Sequence, residues 1–392
     1  MSQQAEIGVG MIGYAFMGRA HSLAWNTVSR VFDVPLRPRL AAICGRDKAA
    51  TQAAAARLGW AAAETDWRAL IARDDVQLVD ICAPGDLHAP IAMAALAAGK
   101  HVLCEKPLAN TLAEAEAMKA AADDAGYRGA RAMVGFNYRR VPALALARRL
   151  VEQGRIGSLR HFRAVYLQDW LTDPDAPMTW RLQAERAGSG ALGDLGAHIV
   201  DLARYLTGDE IAGVSAVSAT FVGSRPWPDS PATGGSKAGP VTVDDAVVLT
   251  ARLASGALAS FEATRYATGR KNGLRVELNG SRGSLAFDLE RLNELEFFSM
   301  EGEDYGATGF RRILVTEATH PYLSAWWPPG HTLGWEHTFT HQARDLLTAI
   351  ADGDQPSPSF ADGLAVQRVL HAVQESAANG SSWESLTSSV AP

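Results

Sequence analysis

The chain has 392 residues, of which 47% are hydrophobic and 20% charged, and its formal net charge at pH 7 is −6. This composition is that of an ordinary globular protein, long enough to form two domains with separate cores. The negative charge and the lack of a Lys/Arg-rich run argue against nucleic acid as a partner, because phosphate binding requires a concentrated basic surface.

The sequence shows no targeting or membrane signal. It begins "MSQQAEIGVGMIG", which enters an apolar run without the basic, apolar and cleavage regions of a signal peptide. No apolar stretch is long enough to cross a bilayer. Three cysteines, Cys44, Cys82 and Cys104, are too few for a disulfide framework and lack metal-site spacing. We therefore expect a cytoplasmic protein with buried, reduced thiols and no bound metal.

The N-terminal third alternates short apolar runs with segments of helical periodicity. The predicted strands are 7–13, 40–44, 78–84, 101–105 and 132–136. Between them, apolar residues recur every three or four positions, as in amphipathic helices. Strands that alternate with helices indicate a parallel sheet covered on both faces, here over residues 1–136. The segment 31–39 contains two prolines and is predicted to be a loop before the second strand.

The remainder, residues 137–392, has a different sequence pattern. After about residue 155, segments of alternating polar and apolar residues are separated by Gly and Asn turns, which is typical of a sheet with one solvated face. A long loop is predicted at 223–240, and helices at 336–352 and 360–378. The predicted fold class is therefore α/β followed by α+β, with the terminal helices as elements that could pack back on the first domain.

The stretch "GYAFMG" at 13–18 follows the first strand directly. It fits G-x-G-x-x-G with Ala15 in place of the middle glycine. Gly13 would form the tight turn, Gly18 would let the helix pack closely, and N–H groups at the helix start would hold a pyrophosphate. A glycine-rich turn without a ligand has the same pattern, but its place after the first strand of an α/β series favours a dinucleotide.

The residues after the second predicted strand bear on the choice between NAD and NADP. Rossmann domains usually place an acidic residue there, which binds the adenosine ribose of NAD. This chain has Gly45, Arg46 and Asp47. Arg46 would suit the 2′-phosphate of NADP, whereas Asp47 could serve the ribose of NAD or cap the next helix. Both alternatives stay open at this point.

Two further segments contain candidate histidines. In "APGDLHAP", Pro84 ends a strand and His88 lies on the first turn of a helix, where a lone histidine is typical of ordinary surface. In "SGALGDLGAH", Asp194 and His198 are four residues apart, which places them on one helical face. Such a pair can act as a general base near neutral pH. A surface pair without function has the same spacing, and a metal site would need a third ligand that is not evident nearby.

Together these motifs resemble the glucose–fructose oxidoreductase/inositol dehydrogenase (Gfo/Idh/MocA) family. The matching segments are "IGYAFMG" at 12–18, P-x-x-x-H at 84–88, "EKP" at 105–107, "WR" at 180–181 and "SGALGDLGAH" at 189–198. The likeness covers essentially the whole chain. It implies a Rossmann domain followed by a domain with a large, open, mostly antiparallel sheet. It also implies homo-oligomers, dimers or tetramers, that pack those sheets together.

The resemblance implies a catalytic set as well. In the family, the lysine of E-K-P projects beside the nicotinamide and the reacting hydroxyl, so Lys106 is expected to be catalytic, with Glu105 holding it and the ribose, and Pro107 fixing the turn. Asp194 and His198 match the partners from the second domain. A cation lowers the energy of an alkoxide, and an imidazole accepts the proton. We expect His198 to be the base and Lys106 its electrostatic partner, with the reverse assignment open.

Ligand-binding residues follow from the same resemblance. The cofactor set is Gly13, Tyr14, Ala15, Phe16, Met17, Gly45, Arg46, Pro84, His88, Glu105 and Lys106. The substrate set is Lys106, Tyr138, Gln168, Trp180, Arg181, Asp194 and His198. Aromatic rings with amide and guanidinium donors suit a pyranose, which has an apolar CH face and a rim of hydroxyls. For any one of the aromatic residues, a core or interface role is the alternative.

The leading hypothesis is an NAD(P)-dependent dehydrogenase. It would oxidise a ring secondary hydroxyl of a sugar, of an anhydrosugar such as levoglucosan at C3, or of a cyclitol, to a ketone. NAD is the expected cofactor and NADP the alternative. A second hypothesis is an NADPH-dependent ketosugar reductase, which Arg46 would support; a third is a non-catalytic dinucleotide-binding regulator, which the presence of Lys106 and His198 disfavours. The expected partners are a small sugar or polyol and further copies of the chain, without nucleic acid or membrane.

Overall fold

The computed structural model describes residues 5–228, 238–301 and 307–386. The chain divides into two compact units, each made of several segments. The first unit is Met1–Arg140, Ala325–Trp327 and Leu333–Ala365, and the second is Val141–Ser324, Pro328–Thr332 and Val366–Pro392. Within the described ranges, no helix combines the length and the hydropathy needed to span a membrane.

The first unit contains a six-stranded parallel sheet in the order β3-β2-β1-β4-β5-β6, which confirms the predicted Rossmann domain. Its strands are β1 Glu6–Ile12, β2 Arg37–Cys44, β3 Ala62–Glu64, β4 Leu78–Ile81, β5 His101–Cys104 and β6 Ala132–Val134. The central strands are buried along their length, because helices cover both faces of such a sheet.

Helices of this unit come from both ends of the chain. They are α1 Phe16–Val31, α2 Lys48–Leu58, α3 Trp67–Ile71, α4 His88–Ala97, α5 Leu112–Tyr127 and, much later, α9 His337–Asp352. The later helix joins the same core as the first, since Leu346 and Leu347 lie in one cluster with Trp25 and Val28 of α1. The predicted helix at 336–352 is thus confirmed.

The predicted loop at 31–39 was partly wrong. Helix α1 continues to Val31, and strand β2 already begins at Arg37. Pro38 is tolerated in that strand because β3 pairs with β2 only from Ala42 onwards, so the missing N–H of Pro38 does not interrupt a ladder on that side.

The second unit is built on a nine-stranded sheet in the order β16-β15-β14-β13-β7-β12-β11-β8-β17. Its strands are β7 Leu159–Leu167, β8 Ile211–Ala219, β11 Ala246–Leu253, β12 Leu258–Thr264, β13 Gly273–Gly280, β14 Gly283–Asp288, β15 Glu294–Ser299, β16 Arg311–Leu314 and β17 Glu384–Ser385. Only β7 and β12 pair in parallel among these described strands, which confirms the mostly antiparallel sheet. Burial alternates along β11 and β12, so one face is covered and the other exposed.

The remaining helices are α6 Pro142–Glu152, α7 Ala184–Ala187, α8 Ala197–Thr207 and α10 Phe360–Ala378. Helix α8 packs on strand β7, and α6 packs on β14 and β15. The predicted loop at 223–240 contains a short antiparallel pair, β9 Ser224–Pro226 with β10 Ala238–Pro240, while residues 229–237 lie outside the described part.

Candidate functional site

The turn between β1 and α1 requires glycine at two positions. Gly13 has a φ of 104°, and a Cβ there would lie 2.5 Å from the carbonyl oxygen of Cys82. A Cβ at Gly18 would overlap the carbonyl oxygen of Gly13. The turn is therefore as tight as a dinucleotide-binding turn has to be.

The residues around this turn fit a dinucleotide. Ala15 is the N-cap of α1, and its methyl group cannot cap the first N–H groups of the helix, which are the groups that hold a pyrophosphate in such turns. Tyr14 covers Gly45, where a Cβ would overlap the tyrosine ring. The exposed ring of Phe16 stacks on Trp335, with ring centroids 5.4 Å apart. Trp335 is a candidate for the wall of this cradle that the sequence motifs did not identify.

Arg46 and Asp47 follow β2, as predicted. Arg46 is exposed. The carboxylate of Asp47 accepts a hydrogen bond from the Ala50 N–H at 2.7 Å and caps helix α2. Of the two alternatives for Asp47, the structure shows the helix cap.

The E-K-P segment leaves the end of β5 with its glutamate buried and its lysine half-buried. Glu105 Oε2 accepts a hydrogen bond from the backbone N–H of Lys106 at 3.3 Å. Gly135 makes room for Glu105, since a Cβ at that position would lie 2.6 Å from Glu105 Oε1. The Lys106–Pro107 peptide bond is cis.

Behind this segment lies a buried histidine that the sequence motifs missed. His21 Nε2 lies 3.0 Å from Glu105 Oε1, and His21 Nδ1 lies 2.9 Å from Asp80 Oδ2. Asp80 also accepts a hydrogen bond from Trp25 Nε1 at 2.7 Å. The available signal was Asp80 itself, because a carboxylate in the apolar run "LVDIC" must find buried partners.

His88 is not the surface residue that its position suggested. It is buried, its Nδ1 lies 2.9 Å from the carbonyl oxygen of Pro107, and its Nε2 lies 3.0 Å from that of Ala83. Burial lowers the pKa of His88 below its usual value, so the imidazole is neutral at pH 7. Pro84 precedes a short 3₁₀ turn that leads into α4. The predicted Tyr138 is buried in the 3₁₀ turn Asn137–Arg140 of the same unit.

In the second unit, Asp194 and His198 stand at the entry of α8. Asp194 lies in a π-helical turn, Leu192–Gly196, and His198 lies in the first turn of the α-helix that continues it. Local π-helical geometry is frequent at functional sites. His198 is buried, and its ring contacts that of Tyr166 at a centroid distance of 5.9 Å.

Gln168 belongs to a network that reaches this histidine. Its Nε2 donates to Asn272 Oδ1 at 2.7 Å, and its Oε1 accepts from Trp170 Nε1 at 2.9 Å. Tyr166, which contacts His198, donates to the same Asn272 oxygen at 2.8 Å. Asn272 thereby fixes Tyr166 and Gln168, and Gln168 in turn fixes Trp170.

Trp180 and Arg181 form a pair of their own, with the guanidinium carbon 4.5 Å from the indole centroid. Their backbone is tied to a buried arginine, Arg265, whose Nη1 donates to the carbonyl oxygen of Arg181 at 3.4 Å. Arg265 also lies over the ring of Trp170 at 5.6 Å. An arginine outside the predicted set thus connects two of the predicted segments.

Asp244 is a further residue that sequence reasoning missed. One carboxylate oxygen accepts from the Gly190 N–H at 2.7 Å and the other from the Leu192 N–H at 2.8 Å. Its backbone carbonyl accepts from Arg265 Nη2 at 2.9 Å. Burial raises the pKa of Asp244, which these hydrogen bonds only partly oppose. This carboxylate holds the turn that leads to Asp194.

Comparison with known proteins identifies the family. Residues 7–136 match the oxidoreductase family with an NAD-binding Rossmann fold, and residues 144–286 match the GFO/IDH/MocA C-terminal domain. The chain is 43% identical to levoglucosan dehydrogenase from Pseudarthrobacter phenanthrenivorans over 386 residues, which cover 96% of this chain and 97% of that protein. The chain belongs to the Gfo/Idh/MocA family.

Two solved structures agree with this assignment. That of an oxidoreductase domain protein from Kribbella flavida has a TM-score of 0.94 at 61% identity and covers 98% of this chain and 100% of that one. Levoglucosan dehydrogenase in complex with NADH and levoglucosan has a TM-score of 0.92 at 43% identity, and covers 98% and 100%. The predictions of a Gfo/Idh/MocA dehydrogenase and of NAD as its cofactor are confirmed.

The predicted site residues of this Gfo/Idh/MocA protein fall into two groups that the structure assembles separately. In the first unit, Tyr14 of the glycine-rich turn packs on Gly45, and His88 contacts the carbonyl oxygen of Pro107 in the E-K-P segment. In the second unit, Gln168 and His198 are linked through Tyr166, and Trp180 lies on Arg181. The roles of these residues toward ligands stay predictions.

Proposed function

We propose that this protein oxidises a ring secondary hydroxyl of an anhydrosugar, levoglucosan at C3, to the ketone. The observation that carries the proposal is the likeness over nearly the full length of both chains to levoglucosan dehydrogenase, a protein solved with NADH and levoglucosan. Support comes from this chain's own side chains, since it has the lysine of E-K-P and the Asp194 and His198 pair. A cyclitol or another pyranose is the alternative substrate class.

Each residue has one role in this proposal. Lys106 contacts the reacting oxygen and stabilises the negative charge that develops on it. His198 accepts the hydroxyl proton, and Asp194 orients the sugar and the imidazole. Bound NAD would supply the acceptor for the hydride that leaves the carbon. Oxidation of the alcohol thus removes one hydride and one proton and leaves a carbon–oxygen double bond.

The N-terminal unit fits the cofactor on geometric grounds. Gly13 and Gly18 let the turn pack closely on its neighbours, and the N–H groups at the start of α1 would bind the pyrophosphate. Tyr14 and Gly45 flank the adenosine end. Lys106 and Glu105 act at the opposite end of the dinucleotide.

The test is the formation of reduced cofactor with purified protein at mildly alkaline pH, with NAD and NADP in parallel. Levoglucosan, glucose, other pyranoses and inositols are compared by kcat/KM. We expect levoglucosan with NAD to give the highest value and the product to be the C3 ketone by NMR. Activity confined to inositols would contradict the substrate, and activity only from NADPH with ketosugars would establish the reductase.

The variant Lys106→Ala separates an enzyme from a regulator. We expect its turnover to fall about 1,000-fold, since the loss of an electrostatic contact to a developing oxyanion has costs of that order. Its affinity for NAD and its melting temperature should stay near the wild-type values. Turnover that does not depend on Lys106 would contradict its role.

We also infer a homo-oligomer in the cytoplasm. The support is the exposed face of the nine-stranded sheet, where Val217 of β8 and Val248 of β11 are paired neighbours with 56% and 49% of their surface exposed. Large apolar side chains that are exposed side by side are candidates for burial in an interface. Light scattering should give the mass of a dimer or tetramer, and Val248→Lys should lower it.

A further inference from the structure

His21, Asp80 and Glu105 form a charge cluster in the first unit that is closed to solvent. Their exposed fractions are 1%, 0% and 5%. Two carboxylates face the two ring nitrogens of one imidazole, at 2.9 and 3.0 Å. Two buried anions in such proximity require a cation between them, because each would otherwise have lost its hydration without compensation.

The imidazole can satisfy both carboxylates only when both ring nitrogens carry a proton. Burial by itself lowers the pKa of His21, but the charge of Asp80 and its hydrogen bond more than offset this, and the pKa is raised well above the usual value. The neighbouring Cys82 stays a neutral thiol, because burial raises its pKa to about 12. Trp25 donates a hydrogen bond to Asp80, and the ring of Phe339 of α9 lies 5.2 Å from that of His21 between centroids.

The cluster is directly connected to the E-K-P segment. Glu105 uses Oε1 for His21 and Oε2 for the backbone N–H of Lys106. The glutamate lies against Gly135, where a Cβ would come within 2.6 Å of Glu105 Oε1, so only glycine leaves room for the carboxylate in this position. His21 itself stands on α1, five positions after Phe16, the first residue of that helix. One imidazolium thereby links the helix of the glycine-rich turn, strand β4 and the segment that carries Lys106.

We propose that His21 is a positioning residue for the dehydrogenase reaction: it fixes the carboxylate of Glu105, and through it the placement of Lys106 relative to the start of α1. The proposal rests on the proposed function to the extent that Lys106 acts on the substrate. His21 acts through Glu105, so its effect is on the orientation of the lysine and not on the chemistry itself. A displacement of about 1 Å at a reacting group is enough to cost about 100-fold in rate.

The two nitrogens of His21 can be removed one at a time. In H21Q, the amide can reach the position of Nε2 and still donate to Glu105. In H21N, the shorter side chain reaches the position of Nδ1 and donates only to Asp80. A matched control is H101N. His101 begins strand β5, whereas Glu105 follows the other end of that strand, and His101 Nδ1 accepts a hydrogen bond from the Arg131 N–H at 3.1 Å.

The first measurement is steady-state kinetics with levoglucosan, alongside NAD affinity by fluorescence. We expect H21N to lose about 100-fold in kcat, with KM and NAD affinity close to wild type. H21Q should retain most of the rate, and H101N should keep the wild-type kcat even if its melting temperature falls. Equal kcat in H21N and H21Q, with equal losses of melting temperature, would overturn the proposal and leave His21 a structural residue.

The second measurement does not depend on turnover. The rate of trace acetylation of Lys106 in the cofactor-free protein is read by mass spectrometry, with Lys119 as the internal reference. We expect H21N to change this rate relative to wild type, H21Q to change it less and H101N not at all. If Lys106 reacts identically in all four proteins, the proposal is wrong. If the rates differ as expected but no sugar is oxidised by the wild type, the proposed function fails and the positioning role stands.

Two further arms keep the result decisive. If H21N does not fold, E105Q must reproduce the loss of kcat and the change in Lys106 acetylation, and wild-type values for E105Q would overturn the proposal. His21, Asp80 and Cys82 also have ligand atoms within 4.8 Å of one another. If Zn²⁺ raises the melting temperature of the wild type but not of H21Q, the cluster is a metal site and the positioning role is overturned.

Discussion

The two predicted catalytic segments are held in place by different physical means. In the first unit, the segment that carries Lys106 is fixed by side chains, through the chain of contacts from Asp80 to His21 to Glu105. In the second unit, the turn before Asp194 is fixed through its backbone, because the Asp244 carboxylate accepts hydrogen bonds from the N–H groups of Gly190 and Leu192. The first arrangement needs a charge on an imidazole, and the second needs space for a carboxylate.

This difference has consequences for how each segment fails. A charge cluster is sensitive to pH and to the replacement of a single titrating group. A change in the shape of a side chain disturbs it only where that side chain contacts the charged groups. A carboxylate that binds backbone N–H groups requires close approach of two main chains, so its weak point is a residue without a side chain. That residue is Gly190, where a Cβ would overlap the carbonyl oxygen of Asp244.

Gly190→Ala should therefore have the largest effect of any small substitution in the second unit. The added methyl group forces the turn away from Asp244, and both carboxylate hydrogen bonds are lost with it. We expect a loss of about 3 kcal/mol or more in the free energy of unfolding, which is at the upper end for overpacking. Urea unfolding followed by circular dichroism measures this loss.

The control for that substitution is Gly223→Ala in the same unit. A Cβ at Gly223 meets no described atom within 4 Å, so its stability should stay near wild type. A loss of stability as large in Gly223→Ala as in Gly190→Ala would show that the Asp244 contact is not the cause.

Asp244→Ala should have the next largest effect, because the Gly190 and Leu192 N–H groups lose their acceptors. Buried donors without partners cost about 1–3 kcal/mol each, so we expect a loss of about 2 kcal/mol in the free energy of unfolding, the lower end for two donors. Asp244→Asn should cost less than Asp244→Ala, since one oxygen is retained. In both variants kcat should fall more than NAD affinity, which is measured separately. A fall in NAD affinity with unchanged kcat would contradict a role for Asp244 in the second unit's segment.

The pH dependence of stability should separate the two arrangements. The folded pKa of His21 is raised above its unfolded value of about 6.5, so the stability that its charge contributes is complete below that pH and is lost as pH rises through the folded pKa. The folded pKa of Asp244 is also raised, here by burial, but from an unfolded value of about 3.9. Its contribution therefore begins to fall at a much lower pH.

This separation is measurable as two difference curves. The free energy of unfolding of wild type minus His21→Gln should decline only above about pH 6.5, and that of wild type minus Asp244→Asn should already decline above about pH 3.9. Curves that decline over the same pH range would mean that the His21 cluster is not held by an imidazolium.

The sequence predicts most of the secondary structure of both units. It predicts neither the contact of His21 with Glu105 nor that of Asp244 with the turn before Asp194. Alternation of apolar runs and helical periodicity identifies the strands around Val9, Ile43 and Val79, because burial on both faces of a parallel sheet leaves a continuous apolar trace. Strand β2 was predicted too short because Pro38 is a strand breaker in most contexts, and only the pairing of β3 shows that it is harmless here.

The positioning residues could be predicted only in part. Asp80 within an apolar strand signals a buried partner, but its partner His21 is 59 residues away and is brought close only because β1 and β4 are neighbours in the sheet. Asp244 binds N–H groups, and every residue except proline has one, so its target leaves no mark in composition or spacing. Sequence motifs identify residues that act on ligands. The residues that hold them in place are far apart in the sequence and are brought together only by the topology of the fold.

His88 offers the smallest test of the same comparison, because it contacts Pro107, the residue after Lys106, and its imidazole is neutral. Its ring faces the carbonyl oxygens of Pro107 and Ala83, and a neutral imidazole donates to only one of them. Its loss should thus remove one uncharged hydrogen bond, worth about 1 kcal/mol, or about fivefold in kcat if all of it affects Lys106. Steady-state kinetics of His88→Asn, His88→Gln and H21N, measured in parallel, give the ratio of their losses in kcat. A loss in either His88 variant as large as in H21N would mean that the hydrogen bond from His21 to Glu105 has no special part in holding Lys106, and that any hydrogen bond to the segment serves equally well.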